Sequence, residues 1–125
     1  MNENELSYEI RGCIFKVYNN LGPGLLESVY EAALGYELDK RNLLYAVQVG
    51  LPMEYETMRL DIGYRLDILV ENKVIIEIKS VETLLEVHHK QLLTYLKLSG
   101  LKLGLLVNFN SDNISKSVFR KVNGL

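Results

Sequence analysis

The sequence predicts a single α/β (α+β) domain in which a mixed four-stranded β-sheet is flanked by helices. Two observations predict this class. Apolar residues recur at helical three- and four-residue steps in three segments, and β-type segments lie between them and after them. The resulting order is ααβββαβ, followed by a C-terminal tail. The length of 125 residues suits one domain, residues 1–125, with a core of its own.

Three segments are predicted to be helices. The first runs from Leu6 to Leu21 and ends at "LGPG", because Gly and Pro interrupt a helix. The second follows at once and ends near Arg41. The third runs from about Glu82 to Leu98 and ends at "SG". These helices are expected to cover the faces of the sheet.

Four segments are predicted to be strands. The first is "YAVQVGLPMEYE" at 45–56, where Pro52 marks an edge or a bend. The second and third are "RLDIGYRLDILV" and "KVIIEIK". The fourth is the apolar run "LKLGLLVNF" at 101–109, which a right-handed parallel crossover would join to the third. The tail, with Lys116, is expected to form a last short helix.

Alternation in the second strand predicts two distinct faces. One face is expected to carry Leu60, Ile62, Tyr64, Leu66, Ile68 and Val70, and the other Arg59, Asp61, Gly63, Arg65 and Asp67. In the third strand, Val74, Ile76 and Ile78 share one face, and Ile75, Glu77 and Lys79 share the other.

The apolar pattern also predicts the register of the hairpin between these two strands. A two-residue loop would place apolar residues opposite polar ones. A three-residue loop at 71–73, with Asn72 or its neighbour left-handed, keeps the two kinds of face apart. It pairs Val70 with Val74, Ile68 with Ile76, Leu66 with Ile78, Arg65 with Lys79, and Asp67 with Glu77. The two carboxylates are therefore expected to be cross-strand neighbours.

Two adjacent carboxylates, Asp67 and Glu77, suggest a cation site. They repel each other, and a divalent ion such as Mg²⁺ would relieve the repulsion. Lys79 lies on the same face as Glu77 and within reach of a ligand of that ion. A solvated polar face, with Arg65 and Lys79 neutralising the acids, is the alternative that these residues leave open.

Composition narrows the class of protein. The net charge of −2 argues against a generally basic nucleic-acid binder, although the charge is −5 over residues 1–62 and +3 over residues 63–125. The single cysteine, Cys13, excludes an internal disulfide framework and is expected in the core. No apolar run is long enough to span a membrane. A cytoplasmic location without membrane contact is therefore expected.

A family resemblance sharpens this interpretation. "GLLESVY" at 24–30 has Gly24, Glu27 and Tyr30 at G-x-x-E-x-x-Y spacing. Together with "LGPG", "GYRLDILVENKVIIEIKSV" and "HHKQLLTYLKLSGLKLGLLVNF", it resembles the GxxExxY family. That family is grouped with the PD-(D/E)xK nuclease superfamily, which has a restriction-endonuclease-like core. The resemblance extends from about Tyr8 to the tail, although Leu66 precedes Asp67 where the superfamily motif has Pro.

The resemblance implies a Mg²⁺- or Mn²⁺-dependent nuclease that hydrolyses phosphodiester bonds of nucleic acid, with DNA preferred. Its site would comprise catalytic Asp67, Glu77 and Lys79, the metal ligands Asp67, Glu77, Glu27 and the Ile78 backbone carbonyl, substrate-positioning Gln91, Tyr95 and His88, and structural Gly24 and Tyr30. Without the resemblance, Glu27 is only an acid at a helix start, and the three residues on the third helix are only a polar flank.

One alternative function belongs to another class. The chain would be a catalytically silent module that keeps the fold and binds nucleic acid or a protein partner. A homodimer would double the footprint of so small a domain.

Overall fold

The computed structural model of the chain describes residues 1–60 and 63–125 in full. The predicted faces of Asp61 and Ile62 lie outside the described residues. The helices are α1 (Glu3–Leu21), α2 (Glu27–Lys40) and α3 (Glu86–Ser99), and the strands are β1 (Tyr45–Tyr55), β2 (Met58–Val70), β3 (Val74–Lys79), β4 (Leu103–Asn108) and β5 (Val118–Val122). A 3₁₀ turn, Ile114–Lys116, precedes β5.

The strands form one mixed sheet in the order β1-β2-β3-β4-β5. β3 and β4 are parallel and joined through α3, while the other neighbours are antiparallel. The mixed sheet and the order ααβββαβ are confirmed. The strand count and the helical tail were wrong, because Val118–Val122 pairs with β4. That pairing satisfies backbone groups along an edge of β4 that would otherwise be buried without partners.

The sheet carries a core on each face. The larger core packs α1 and α2 against one face and contains Cys13, which is fully buried as predicted. The smaller core packs α3 against the other face. None of the helices in the described part of the chain combines the length and the apolar character needed to span a lipid bilayer.

The hairpin between β2 and β3 has the predicted register. Val70 pairs with Val74 and Ile68 with Ile76, and the two loop residues Glu71 and Asn72 are both left-handed, with φ near 52° and 53°. The ladder ends at the Ile68–Ile76 pair. The pairs that were predicted beyond it are therefore not formed as ladder pairs, because the two strands separate there.

The predicted faces of β2 are wrong at one point. Ile68 and Val70 belong to the α1/α2 core, but Leu66 belongs to the α3 core. The exchange falls at Asp67, opposite Gln48 of β1, which has a left-handed φ of 51°. Val47 pairs with Ile68 and Val49 pairs with Leu66, but no register pair joins Gln48 and Asp67. A residue in that conformation interrupts the alternation of the strand, which the sequence pattern alone does not reveal.

Candidate functional site

The site lies where β2 and β3 stop pairing, and two carboxylates occupy the gap. The Asp67 backbone N–H donates to Glu77 Oε2 at 2.8 Å. In return, the Ile78 backbone N–H donates to Asp67 Oδ2 at 2.8 Å. Carboxylate oxygens thus accept the hydrogen bonds that backbone carbonyl oxygens would accept in a regular pair of strands. The structure brings Asp67 and Glu77 together, although they do not form a ladder pair.

Burial governs the protonation of this pair. Glu77 is only 4% exposed, and burial raises its pKa to about 8. That pKa includes a smaller rise from the negative charge of Asp67, which is opposed by the hydrogen bond from the Asp67 backbone and by the positive charge of Lys79. Burial also raises the pKa of Asp67. At neutral pH, therefore, Glu77 retains a proton when no cation is bound.

Glu27 links α2 to the same strand end. It is the first residue of α2, and its Oε2 accepts a hydrogen bond from the Ser80 backbone N–H at 2.9 Å. The Ser80 hydroxyl donates to the Leu25 carbonyl at 2.6 Å. The helix start is therefore held against the residue that follows Lys79. Glu27 itself remains exposed to solvent.

Tyr30 fixes the loop in front of this helix. Its ring is fully buried and stacks on Phe109, with ring centroids 4.2 Å apart. Its hydroxyl donates to the Gly22 carbonyl at 2.6 Å and accepts from the Leu25 N–H at 3.1 Å. Gly24 has φ of 93°, a conformation that favours glycine. Tyr30 and Gly24 thus shape the loop that precedes α2.

Sequence reasoning missed Glu31 and Gln48. Glu31 lies one turn after Glu27 on α2, and its negative charge contributes to the raised pKa of Asp67. Gln48 Nε2 donates to Glu31 Oε1 at 3.1 Å. The i, i+4 spacing of the two glutamates was a signal that could have identified Glu31. Nothing in the sequence marks Gln48, because its left-handed backbone appears only in the structure.

Asn108 was also missed. It is only 6% exposed at the end of β4 and is the register partner of Lys79. Its side chain exchanges hydrogen bonds with the Val81 backbone, accepting from N–H at 3.1 Å and donating to C=O at 2.9 Å. It therefore holds the chain that leaves the strand after Lys79. The position of polar Asn108 at the end of the apolar strand β4 was a signal in the sequence that could have identified it.

The predicted residues of α3 have separate positions. Tyr95 is 4% exposed, and its pKa is raised to about 12, first by burial and then by the negative charges of Glu77 and Asp67. The Gln91 side chain lowers that pKa. Tyr95 and Gln91 thus lie beside the carboxylates. His88 instead caps α3, because its Nδ1 accepts the Leu85 N–H at 3.0 Å.

The chemistry of these donors fits a hard divalent cation. Carboxylate oxygens are the ligands that Mg²⁺ and Mn²⁺ prefer. Asp67 and Glu77 each use one oxygen on a backbone N–H and keep a second. A bound cation would also replace the proton that burial leaves on Glu77. Within the described residues, however, no three His, Cys, Asp or Glu side chains are already grouped closely enough to hold an ion.

Comparison with known proteins agrees with this fold. The model of the PD-(D/E)XK nuclease superfamily matches residues 4–122. The chain therefore belongs to the PD-(D/E)XK nuclease superfamily, whose nucleases typically use divalent metal ions. The narrower GxxExxY assignment stays a prediction.

The chain is also similar to a solved structure, the crystal structure of SSO0001, with a TM-score of 0.55 and 26% sequence identity. The match covers 79% of this chain and 51% of that one, so this chain spans about half the length of SSO0001. No curated protein matches the chain.

Proposed function

We propose that this protein is a Mg²⁺- or Mn²⁺-dependent nuclease that hydrolyses phosphodiester bonds of nucleic acid, with DNA preferred. One observation carries the proposal. Asp67 and the buried Glu77 meet where two strands separate, and Lys79 lies on the same strand end. A fold gains nothing from burying one carboxylate beside another, so a ligand is the natural reason for the arrangement.

The proposed metal ligands are Asp67, Glu77 and the Ile78 carbonyl, with Glu27 binding directly or through water. The N–H and C=O of one strand residue point to the same side. Because the Ile78 N–H reaches Asp67, its carbonyl is directed toward the same gap. When bound, the cation would polarise the scissile phosphate and lower the pKa of an attacking water. Glu31 lies close enough to influence Asp67 and adds negative charge around the ion.

The remaining residues have roles that need no direct contact with the cation. Lys79 is half-buried at the end of β3, where its ammonium group stabilises negative charge on the reacting phosphate. Asn108 restrains the backbone after it. Gln91 and Tyr95 position the sugar–phosphate backbone of the substrate from α3.

Replacement of the lysine tests the proposal. Lys79→Ala removes a transition-state contact, so cleavage with Mn²⁺ should fall by about 10²–10³-fold. Melting temperature and nucleic-acid affinity should change little. The assay needs a panel of single-stranded DNA, duplex DNA and RNA, and Lys97→Ala, an exposed lysine on α3, serves as the matched control. If Lys79→Ala cuts as fast as wild type, the proposed role of Lys79 is wrong.

One observation favours the silent module as a second candidate. Asp67 and Glu77 already satisfy backbone N–H groups, and the described acids form no ready metal cage. A protein with these carboxylates in a structural role would bind nucleic acid or a partner without cutting. Wild type that binds members of the panel in Mn²⁺ and cleaves none of them would establish this alternative.

A further inference from the structure

One exposed aromatic ring lies on the same face of the sheet as the acidic site and has no role in the proposed chemistry. Leu66 packs in the α3 core, and Tyr64, two residues earlier in β2, lies on the same face. Glu77 and Lys79 share this face as well, because they follow Ile75 of the same core by two and four residues. The ring of Tyr64 and the charged residues of β3 therefore all lie on the α3 side of the sheet.

Tyr64 partly covers Tyr95 of α3. The two ring centroids are 5.2 Å apart, and the ring planes are inclined by 52°. Tyr95 is only 4% exposed, whereas Tyr64 is 39% exposed. After burial, the negative charges of Glu77 and Asp67 are the next causes of the raised pKa of Tyr95, so this pair of rings adjoins the carboxylates. A substrate that approaches the pair from solvent meets Tyr64, because Tyr95 presents almost no surface.

The neighbours of Tyr64 hold its ring in place. Leu51 is its cross-strand partner on β1 and packs against the same α3 core, while Tyr95 contacts the ring from the helix. A tyrosine ring that is already held by its neighbours loses little conformational freedom when a ligand binds to it. Packing against Tyr95 explains the covered part of the Tyr64 ring, whereas the exposed part is free to contact a ligand.

The chemistry of the ring determines which part of a nucleic acid it suits. In the proposed function, the cation and Lys79 bind the reacting phosphate. The Tyr64 ring is uncharged, so it does not compete for that phosphate. An aromatic ring instead packs well against a nucleoside, whose base has a flat π-face whatever its identity. The nucleoside that adjoins the reacting phosphate is therefore the group that an exposed ring beside the site would contact.

We infer that the Tyr64 ring packs against the nucleoside next to the scissile phosphate, and that the buried Tyr95 acts through Tyr64 as a positioning residue. The inference deepens the proposed function and rests on it for the choice of nucleic acid as the ligand. The ring contacts the substrate away from the reacting atoms, so the contact is equally strong before and during the reaction. It therefore increases affinity and leaves the rate of the chemical step unchanged.

Cleavage kinetics in Mn²⁺ and fluorescence anisotropy in EDTA test the inference on labelled single-stranded DNA, duplex DNA and RNA. Tyr64→Leu keeps an apolar side chain over Tyr95 but removes the flat ring, so KM and Kd should rise about tenfold while kcat changes by less than about twofold. Tyr64→Phe should restore both constants. The dependence of Kd on salt should be the same in every variant, because no charged contact to phosphate is lost.

Two further variants complete the experiment. Tyr8→Leu is the matched control and should bind and cut like wild type, because Tyr8 is an exposed tyrosine of α1, which packs on the other face of the sheet. Tyr64→Val is a second variant without the ring, and its strong strand preference favours folding if Tyr64→Leu proves unstable. Melting temperatures show which variants are folded at the temperature of the assay.

The outcomes separate this inference from the proposed function. If wild type cuts and the variants without the ring keep its KM and Kd, the inference is overturned and the nuclease stands. Equal losses in Tyr64→Phe and Tyr64→Leu would overturn it as well, because the hydroxyl and not the ring would then make the contact. Wild type that never cuts but loses affinity only with the ring would support the inference and remove the catalytic proposal. Wild type that neither binds nor cuts any substrate would overturn both.

Discussion

Glu77→Gln should change how the stability of the protein depends on pH. In the folded protein the pKa of Glu77 is about 8, against 4.5 for an unperturbed glutamate, and burial is the main cause. The folded state therefore holds its proton more tightly than the unfolded state. Because the unfolded state binds fewer protons between these two values, the free energy of unfolding falls as pH rises from about 4.5 to about 8, and then levels.

The size of the effect follows from the shift. Each unit of pKa difference corresponds to about 1.4 kcal/mol. Gln resembles the protonated side chain and does not titrate. In EDTA, the free energy of unfolding of Glu77→Gln should exceed that of wild type by about 1 kcal/mol at pH 5. By pH 9 the variant should be more stable than wild type by about 4–5 kcal/mol, a large part of the stability of a small domain.

Urea unfolding at a series of pH values measures the difference. Glu54→Gln, a carboxylate exposed on β1, is the control and should follow the wild-type profile. Parallel profiles for wild type and Glu77→Gln across this range would refute the reasoning. That result would mean that Glu77 ionises normally, because a partner group or water compensates for the burial of its charge.

Three further changes test other parts of the structure. Asp67→Asn should raise the melting temperature in EDTA, because burial, which raises the pKa of Asp67, disfavours its charged form, and Mn²⁺ should then stabilise wild type but not the variant; identical curves would argue against a metal site. Tyr30→Phe should lower the free energy of unfolding by about 1–3 kcal/mol, because its two backbone partners lose their hydrogen bonds, whereas exposed Tyr36→Phe should be neutral by the same measurement. Gln48→Val should destabilise by at least about 1 kcal/mol, because a β-branched residue resists a left-handed φ, and Gln48→Gly should be tolerated; the reverse order in urea unfolding would contradict the backbone found here.

The sequence by itself determined the hairpin and hence the centre of the site. Apolar alternation fixes which residues face each other, and a one-residue slip would expose the core face. That constraint was sufficient to place Val70 opposite Val74, and Asp67 lies beside Glu77 just beyond the end of that ladder. The helix starting at Glu27 and the parallel pairing of β3 with β4 were likewise readable, because Gly–Pro interruptions and apolar runs are local signals.

Only the tertiary structure decided the surroundings of that pair. The exchange of faces at Asp67 depends on Gln48, a residue of another strand whose backbone conformation no local pattern encodes. Asn108 reaches the site because β4 lies beside β3. The tail forms β5 because it pairs with an edge of β4 whose backbone groups would otherwise be unpaired. Five residues of mixed polarity have too weak a local strand preference for the sequence to predict that strand. Local pattern sets which residues can meet within a hairpin, whereas contacts between distant segments depend on how the whole chain packs.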